Sequence, residues 1–174
     1  MTWQIDPVHS NATFSVKHAM VATVRGQFKV ISGTLEIDEA HPENSTIEAQ
    51  AETASIDTHD ANRDAHLRSP DFFEADKYPT ITFNSTKVEA SGDNTYRVVG
   101  LLDMHGVQKE ITLDAEYAGQ GKDPYGNTRA GLSATGRINR KDFGLNWNAA
   151  LEAGGVLVSD AVKIEIDLSA VNKS

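Results

Sequence analysis

The sequence predicts an all-β chain of about eight antiparallel strands curled into a barrel, with one short helical insertion. Three observations carry this expectation. Period-two alternation of apolar and polar residues recurs along the chain, while helical periodicity is confined to one stretch. The connections are short and hairpin-like. Two glycines, Gly26 and Gly33, interrupt an early strand region where bends or bulges would let a sheet curl.

In chain order, Trp3 to Asp6 reads as a short strand closed by Pro7, and Ala12, Phe14, Val16 and His18 alternate with Thr13, Ser15 and Lys17 as a second strand. A small apolar loop occupies Ala19 to Thr23, and Val24 to Asp38 forms a long strand region that the two glycines break. From Thr46 to Thr58, Ile47, Ala49, Ala51, Thr53 and Ser55 face inward against Glu48, Gln50 and Glu52. Asp60 to Arg68 is the helical candidate, with Thr58 or Asp60 available as its cap.

The next stretch, Leu67 to Phe83, combines turn chemistry with Phe72, Phe73 and Tyr78 and reads as a lid or plug. Pro79 cannot donate to a β-ladder, so the following strand starts at Thr80. Strands are then expected over Thr80 to Glu89, Thr95 to Met104, Lys109 to Ala118, Thr128 to Asn139 and Val162 to Leu168. The small inward residues, including Ala130, Ala134 and Gly136, leave two readings open. They either leave an empty lumen or sit opposite large residues in a filled core.

At 174 residues the chain is expected to form a single domain over 1–174 with a sizeable core. A net charge of −9 argues against a nucleic-acid surface and against tight binding to anionic lipid, while leaving room for a local basic pocket. The absence of cysteine excludes a disulfide framework, a thiolate zinc site and a thiol nucleophile. No stable membrane insertion is expected, since no run of about 18 apolar residues occurs. The N-terminus lacks signal-peptide features, so a cytoplasmic location is expected, with a periplasmic or secreted one if a signal has been removed.

The densest polar cluster, His59, Asp60, Asn62, Arg63, Asp64 and His66, has some ligand-like spacing but reads better as a solvated helix than as a metal site. Asp71, Glu74 and Asp76 are carboxylates near aromatics, raw material for glycoside hydrolysis, although a wet acidic loop accounts for them more simply. No nucleophile elbow is present. His18 continues the inward row of Phe14 and Val16, more commonly as a satisfied core histidine than as a headgroup contact. Arg137 and Arg140 beside Lys141 form a concentrated basic spot that an anion could meet, although surface salt-bridging to the abundant carboxylates accounts for it more simply.

Five segments, WQIDPVHSNATFSVKHAM, VRGQF, HLRSPDFFEADKYPTITF, GLLDMHGVQKEITL and INRKDFGLNWN, follow in an order and spacing that closely resemble the YceI-like polyisoprenoid-binding proteins of bacteria. The resemblance covers nearly the whole chain. It implies a lipocalin-like, eight-stranded antiparallel barrel holding a polyprenyl pyrophosphate or a prenylated quinone in its lumen, commonly as a homodimer. It implies no catalytic residue, no metal and no cofactor beyond the bound lipid. Matching positions suggest Phe14, Val16, Phe28, Phe72, Phe73, Phe83, Phe143 and Trp147 as lumen lining, with His18, Arg137 and Arg140 as polar contacts. The expected function is sequestration or transport of the isoprenoid, with the plug and the Ala19 to Val24 loop flanking the entrance. The alternatives are an enzyme acting on an apolar substrate in the same pocket and an interaction domain with a filled interior.

Overall fold

A computed structural model describes residues 2–149, 151, 155 and 157–173. Its strands are β1 Thr2–Ile5, β2 Asn11–His18, β3 Ala22–Phe28, β4 Ile31–Glu36, β5 Thr46–Glu52, β6 Ile56–Asp57, β7 Thr80–Gly92, β8 Thr95–Met104, β9 Val107–Lys122, β10 Thr128–Asn139 and β11 Val158–Asn172. The helix α1 spans Ala61–Arg68.

The sheet closes on itself. Strands β1, β4, β5, β7, β8, β9, β10 and β11 pair in that order, and β1 returns to β11, giving an antiparallel ring of eight. The long strand β11 has two partners on one side: Ala170 to Asn172 pair with β1, and Val158 to Asp167 pair with β2. Strands β3 and β6 continue outward from β2. Chain breaks between β1 and β2, between β3 and β4, and between β5 and β6 therefore divide three ring positions into lower and upper halves. At the upper edge β6 pairs only with β3, and the chain from α1 to Pro79 fills the side of the barrel beyond it.

The expected glycine break is corrected here. Gly26 and Gly33 lie inside β3 and β4, and the chain turns at Lys29 and Val30, where β3 ends and β4 begins. Gly26 is a close-approach position instead: a Cβ there would stand 2.4 Å from Cζ of Phe14. Strands β9 and β11 extend beyond their expected limits at both ends. Gly119 to Lys122 carry no apolar alternation, but the ladder to β10 holds them in register.

Inward residues form three layers. The lower layer contains Trp3, Ile5, Leu35, Ala130 and Ala170. The middle one contains Val88, Val98, Leu113, Ala115 and Ala134. The upper one contains Ile31, Ala51, Ile81, Leu102, Met104, Phe143 and Leu145.

Helix α1 is capped by Asp60, whose side chain accepts from the Arg63 amide at 3.0 Å. It is not simply solvated. Asp64 is buried and accepts both the amide (2.8 Å) and the hydroxyl (2.5 Å) of Thr58. Arg63 in turn donates to the Thr58 hydroxyl at 2.8 Å and carbonyl at 2.7 Å. The polar cluster that resembled a ligand set thus ties α1 to the end of β6. Among the described residues, no group of three His, Asp or Glu side chains could hold a metal ion.

Candidate functional site

The plug is built by local hydrogen bonds that keep Phe72 and Phe73 adjacent but differently placed. The Phe72 amide donates to the Ser69 carbonyl and the Phe73 amide to the Leu67 carbonyl, each at 3.0 Å. The turn is then sewn to the barrel wall: the Thr53 amide donates to the Pro79 carbonyl at 2.9 Å, and its hydroxyl to the Tyr78 carbonyl at 2.8 Å. Strand β7 starts at Thr80, as Pro79 requires.

Beneath the plug lies an apolar cavity of about 210 Å³. One wall is the β2–β3 hairpin, which presents Phe14, Val16 and Phe28. The facing wall comes from β5 and β7, with Ala49, Ala51, Ile81 and Phe83. Alternate residues of β11, Val162, Ile164, Ile166 and Leu168, form the third, and Leu67, Phe72 and Phe73 close the top. Phe73 meets Phe28 edge-on at 5.9 Å, and Phe28 lies 5.7 Å from Phe14, so an aromatic row runs from the hairpin into the plug.

Of the residues suggested by sequence, Phe14, Val16, Phe28, Phe72, Phe73, Phe83 and Arg140 are brought to this cavity. The other four are placed elsewhere. Phe143 is 1% exposed and packs into the upper core layer without lining the cavity. Trp147 stands above the plug, 5.3 Å from Phe72 and 4.7 Å from His66. His18 ends β2, opposite Ala22 and Val158, and does not line the cavity. Arg137 points outward from β10, because alternation puts Gly136 and Ile138 on the inner face.

Arg140 is corrected in role. Only 3% exposed, it spends its donors on backbone carbonyls: Nε on Ser159 (2.9 Å), Nη1 on Leu145 and Trp147 (2.5 and 2.9 Å), and Nη2 on Val158 (3.2 Å). Burial pushes its guanidinium pKa down, while Asp160 at 3.8 Å opposes the shift. The side chain is a clamp that fixes the Leu145 to Trp147 strap to β11, and the strap holds Phe72.

His66 was not singled out as an aromatic partner. Its ring sits edge-on to both Phe72 and Trp147, and its Nε2 lies 2.8 Å from Asp71 Oδ2. No local pattern could have shown this, because Trp147 arrives from a segment eighty residues away. The alternating apolar face of β11 was legible as a wall, although attention to aromatics passed over it. Asp71, Glu74 and Asp76 line none of the cavities described here.

A second compartment of about 380 Å³ occupies the opposite end of the barrel. Its walls include Leu35, Ile47, Val98, Ala115 and Leu132, and its rim includes Glu39, Tyr96 and Tyr117. The Tyr117 hydroxyl donates to Glu39 at 2.7 Å, and burial together with that carboxylate pushes its pKa up to about 12. The middle core layer separates the two compartments: Phe83, Leu113 and Ile166 face the upper one, and Val98 and Ala115 the lower.

Both expectations for the small residues are met at different positions. A Cβ on Gly136 would stand 2.6 Å from Leu113, and one on Gly100 would stand 2.5 Å from Phe83, so these glycines complement large neighbours. Ala49 and Ala51 instead face the cavity.

A closed antiparallel barrel with an apolar interior beneath an aromatic plug is the class of protein that this geometry defines. Residues 3–170 match the family model of the YceI-like domain, and the chain belongs to that family. A UPF0312 protein of Vibrio cholerae serotype O1 is 36% identical over 165 residues, covering 95% of this chain and 83% of the relative. A UPF0312 protein of Pseudomonas syringae pv. tomato is 42% identical over 137 residues, covering 79% and 71% respectively. Among solved structures, the Campylobacter jejuni YCEI protein superposes with a TM-score of 0.78 at 33% identity, covering 91% of this chain and 90% of that one. Two further structures share the fold: Burkholderia cenocepacia BcnA, with a TM-score of 0.84 at 24% identity and coverage of 95% and 98%, and a polyisoprenoid binding domain from Saccharophagus degradans, with a TM-score of 0.69 at 17% identity and coverage of 97% of each chain.

Proposed function

We propose that this protein binds a long-chain isoprenoid in the barrel interior and sequesters or carries it without catalysis. The observation that carries the reading is the apolar cavity beneath the plug, whose buried cation, Arg140, is occupied by carbonyls. Family membership and the fold shared with a polyisoprenoid binding domain support it.

The upper cavity, at about 210 Å³, is larger than the ~150 Å³ engineered void that admits benzene but too small for a long chain. The lower compartment, at about 380 Å³, lies by itself at the small end of the ~300–1,000 Å³ range of ordinary small-molecule sites, and only the two together offer the length a long chain needs. A polyprenyl tail would therefore displace side chains of the middle layer and thread both. Burial of each methylene contributes about 0.8 kcal/mol, enough to outweigh the cost of ordering the chain over several isoprene units.

Of the two headgroups considered, the interior suits a prenylated quinone better. A pyrophosphate would need unengaged cationic donors, and Arg140 has spent its donors on the strap and on β11. A polyprenyl pyrophosphate would bind with its headgroup left at the mouth.

Titration with a prenylated quinone, with a polyprenyl pyrophosphate and with each headgroup lacking its tail tests this. Affinity is expected to follow the tail, with the ligand recovered unchanged. Binding of the bare headgroups, or chemical conversion of the lipid, would overturn the reading. A homodimer is part of the proposal, and the mass in solution tests it.

A further inference from the structure

The β2–β3 hairpin has two unlike faces. Phe14, Val16 and Phe28 face the lumen. On the outer face, strand register places Arg25 opposite Ser15, Ser15 opposite Lys163 and Lys163 opposite Arg137, a row crossing four neighbouring strands. Lys17, on the same face, extends it towards the hairpin tip and donates to Thr23 at 2.9 Å.

The row is a local inversion in a molecule of net charge −9. Lys163 is paired with Glu165 at 2.9 Å, and Asp57 at the margin is paired with Lys29 at 3.4 Å. Among the described residues, Arg25, Arg137 and Lys17 stand in no ion pair, so the face keeps an excess of three positive charges. The influence of Lys163, and beyond it Arg25, holds the Glu165 carboxyl below its usual range.

The tip adds an independent observation. Met20 is 57% exposed and Val21 is 82% exposed. The Val21 amide closes the turn on the His18 carbonyl at 3.3 Å, and both central residues have positive φ, +51° at Ala19 and +67° at Met20. Asn-Gly or Gly-Gly adopts such a turn at least cost, yet here the chain places Ala and Met in it. The result is a strained tip that presents Val21 and much of Met20 to water next to cations, with the inner side of Met20 lying against Gly155.

We propose that this hairpin is a docking element for an anionic bilayer, with Met20 and Val21 entering the interface and the Arg25, Arg137 and Lys17 face meeting lipid phosphates. Apolar side chains at a tip flanked by cations are the composition by which surface elements sit at the headgroup boundary. The net negative charge of the rest of the molecule makes docking reversible and salt-sensitive. An acidic soluble protein would complement the cations but leaves Met20 and Val21 without a role. Transfer of a lipid from the docked surface into the lumen rests on the function proposed above; the docking itself does not.

Co-sedimentation of the protein with phosphatidylcholine vesicles, with and without phosphatidylglycerol, tests the proposal at low and high salt. Sedimentation is expected only with phosphatidylglycerol and only at low salt. The double variant Arg25→Ser/Arg137→Ser should weaken partition by roughly tenfold or more, and Met20→Ser/Val21→Ser should also weaken it, with circular dichroism unchanged because all four side chains are exposed. Absence of sedimentation at low salt, or equal sedimentation of the variants, would overturn the proposal. Capture by soluble polyglutamate without vesicle binding would overturn it too, and would assign the row to an acidic protein. The assay reads attachment to vesicles and not occupancy of the lumen, so its failure is distinguishable from failure of the carrier reading.

Discussion

Arg140 reinforces a junction that Asn148 also makes, since the Asn148 side chain donates to the Val158 carbonyl at 2.7 Å and accepts from the Val158 amide at 3.0 Å. Its guanidinium gathers carbonyls from the strap at Leu145 and Trp147 and from the start of β11 at Val158 and Ser159. Arg140→Met keeps the apolar stem but removes this donor from the Leu145, Trp147 and Ser159 carbonyls, while Val158 keeps Asn148. We expect a loss of about 3–5 kcal/mol in denaturant unfolding, with red-shifted Trp147 emission as the strap loosens. Asp64 has a comparable part: Asp64→Ala strands the buried Thr58 amide and hydroxyl and should cost about 1–3 kcal/mol. Phe73 is half-buried and closes the cavity from above, so Phe73→Ala is expected to speed release of a bound isoprenoid while the barrel stays folded; an unchanged dissociation rate would exclude Phe73 from any gating role. The aromatic lining was legible because Phe14, Phe28 and Phe83 occupy inward positions of alternating strands. Arg140 was misread as an anion contact because spacing shows a charge but not the carbonyls that converge on it.

At the scale of elements, the lower rim depends on one cation held by two carboxylates. Arg129 on β10 reaches Asp6, just after β1, at 2.7 Å and Asp123, in the β9–β10 turn, at 2.7 Å. Hydrogen bonding to Arg129 holds both carboxyls well below the ordinary value of 3.8. A depressed carboxyl pKa contributes stability that is fully present above the unfolded value and is lost as pH falls through the folded one. Arg129→Met should therefore be less stable than the parent at pH 6, and the gap between them should narrow steadily below about pH 4; a gap independent of pH would contradict this origin. Most strand cores were legible from alternation, and β8 and β10 run to the limits that alternation set. The polar end of β9 at Gly119 to Lys122 was not, since the neighbouring ladder keeps it extended. The division of β1 from β2 was legible at Pro7, whereas that of β3 from β4 was misplaced at the glycines because close approach, seen at Gly26 against Phe14, leaves the same mark in a sequence as a bend.

The whole molecule is a barrel of eight ring positions whose upper side is completed by a helix and a plug, with two interior compartments on either side of one layer of side chains. Neither compartment alone fits a long lipid, so chain length should depend on the waist between them. Ala115 and Ala134 are paired across β9 and β10 in that layer and are both buried. Ala115→Phe is expected to cost about 1–3 kcal/mol and to shift the bound population towards shorter isoprenoids, as read by the chain-length distribution of retained lipid. The ring of eight was legible from the number and rhythm of alternating segments. The paired compartments were not, because they depend on how side chains from seven or more strands meet across the barrel axis.

The central claim is that the interior exists to hold an isoprenoid, and extraction of the purified protein with organic solvent followed by mass spectrometry tests it most directly. A near-stoichiometric lipid is expected, with congeners that differ by five-carbon steps and carry a quinone or another neutral headgroup. An empty extract, repeated after incubation with polyprenyl lipids and prenylated quinones, would contradict it and leave the barrel as a filled interaction domain.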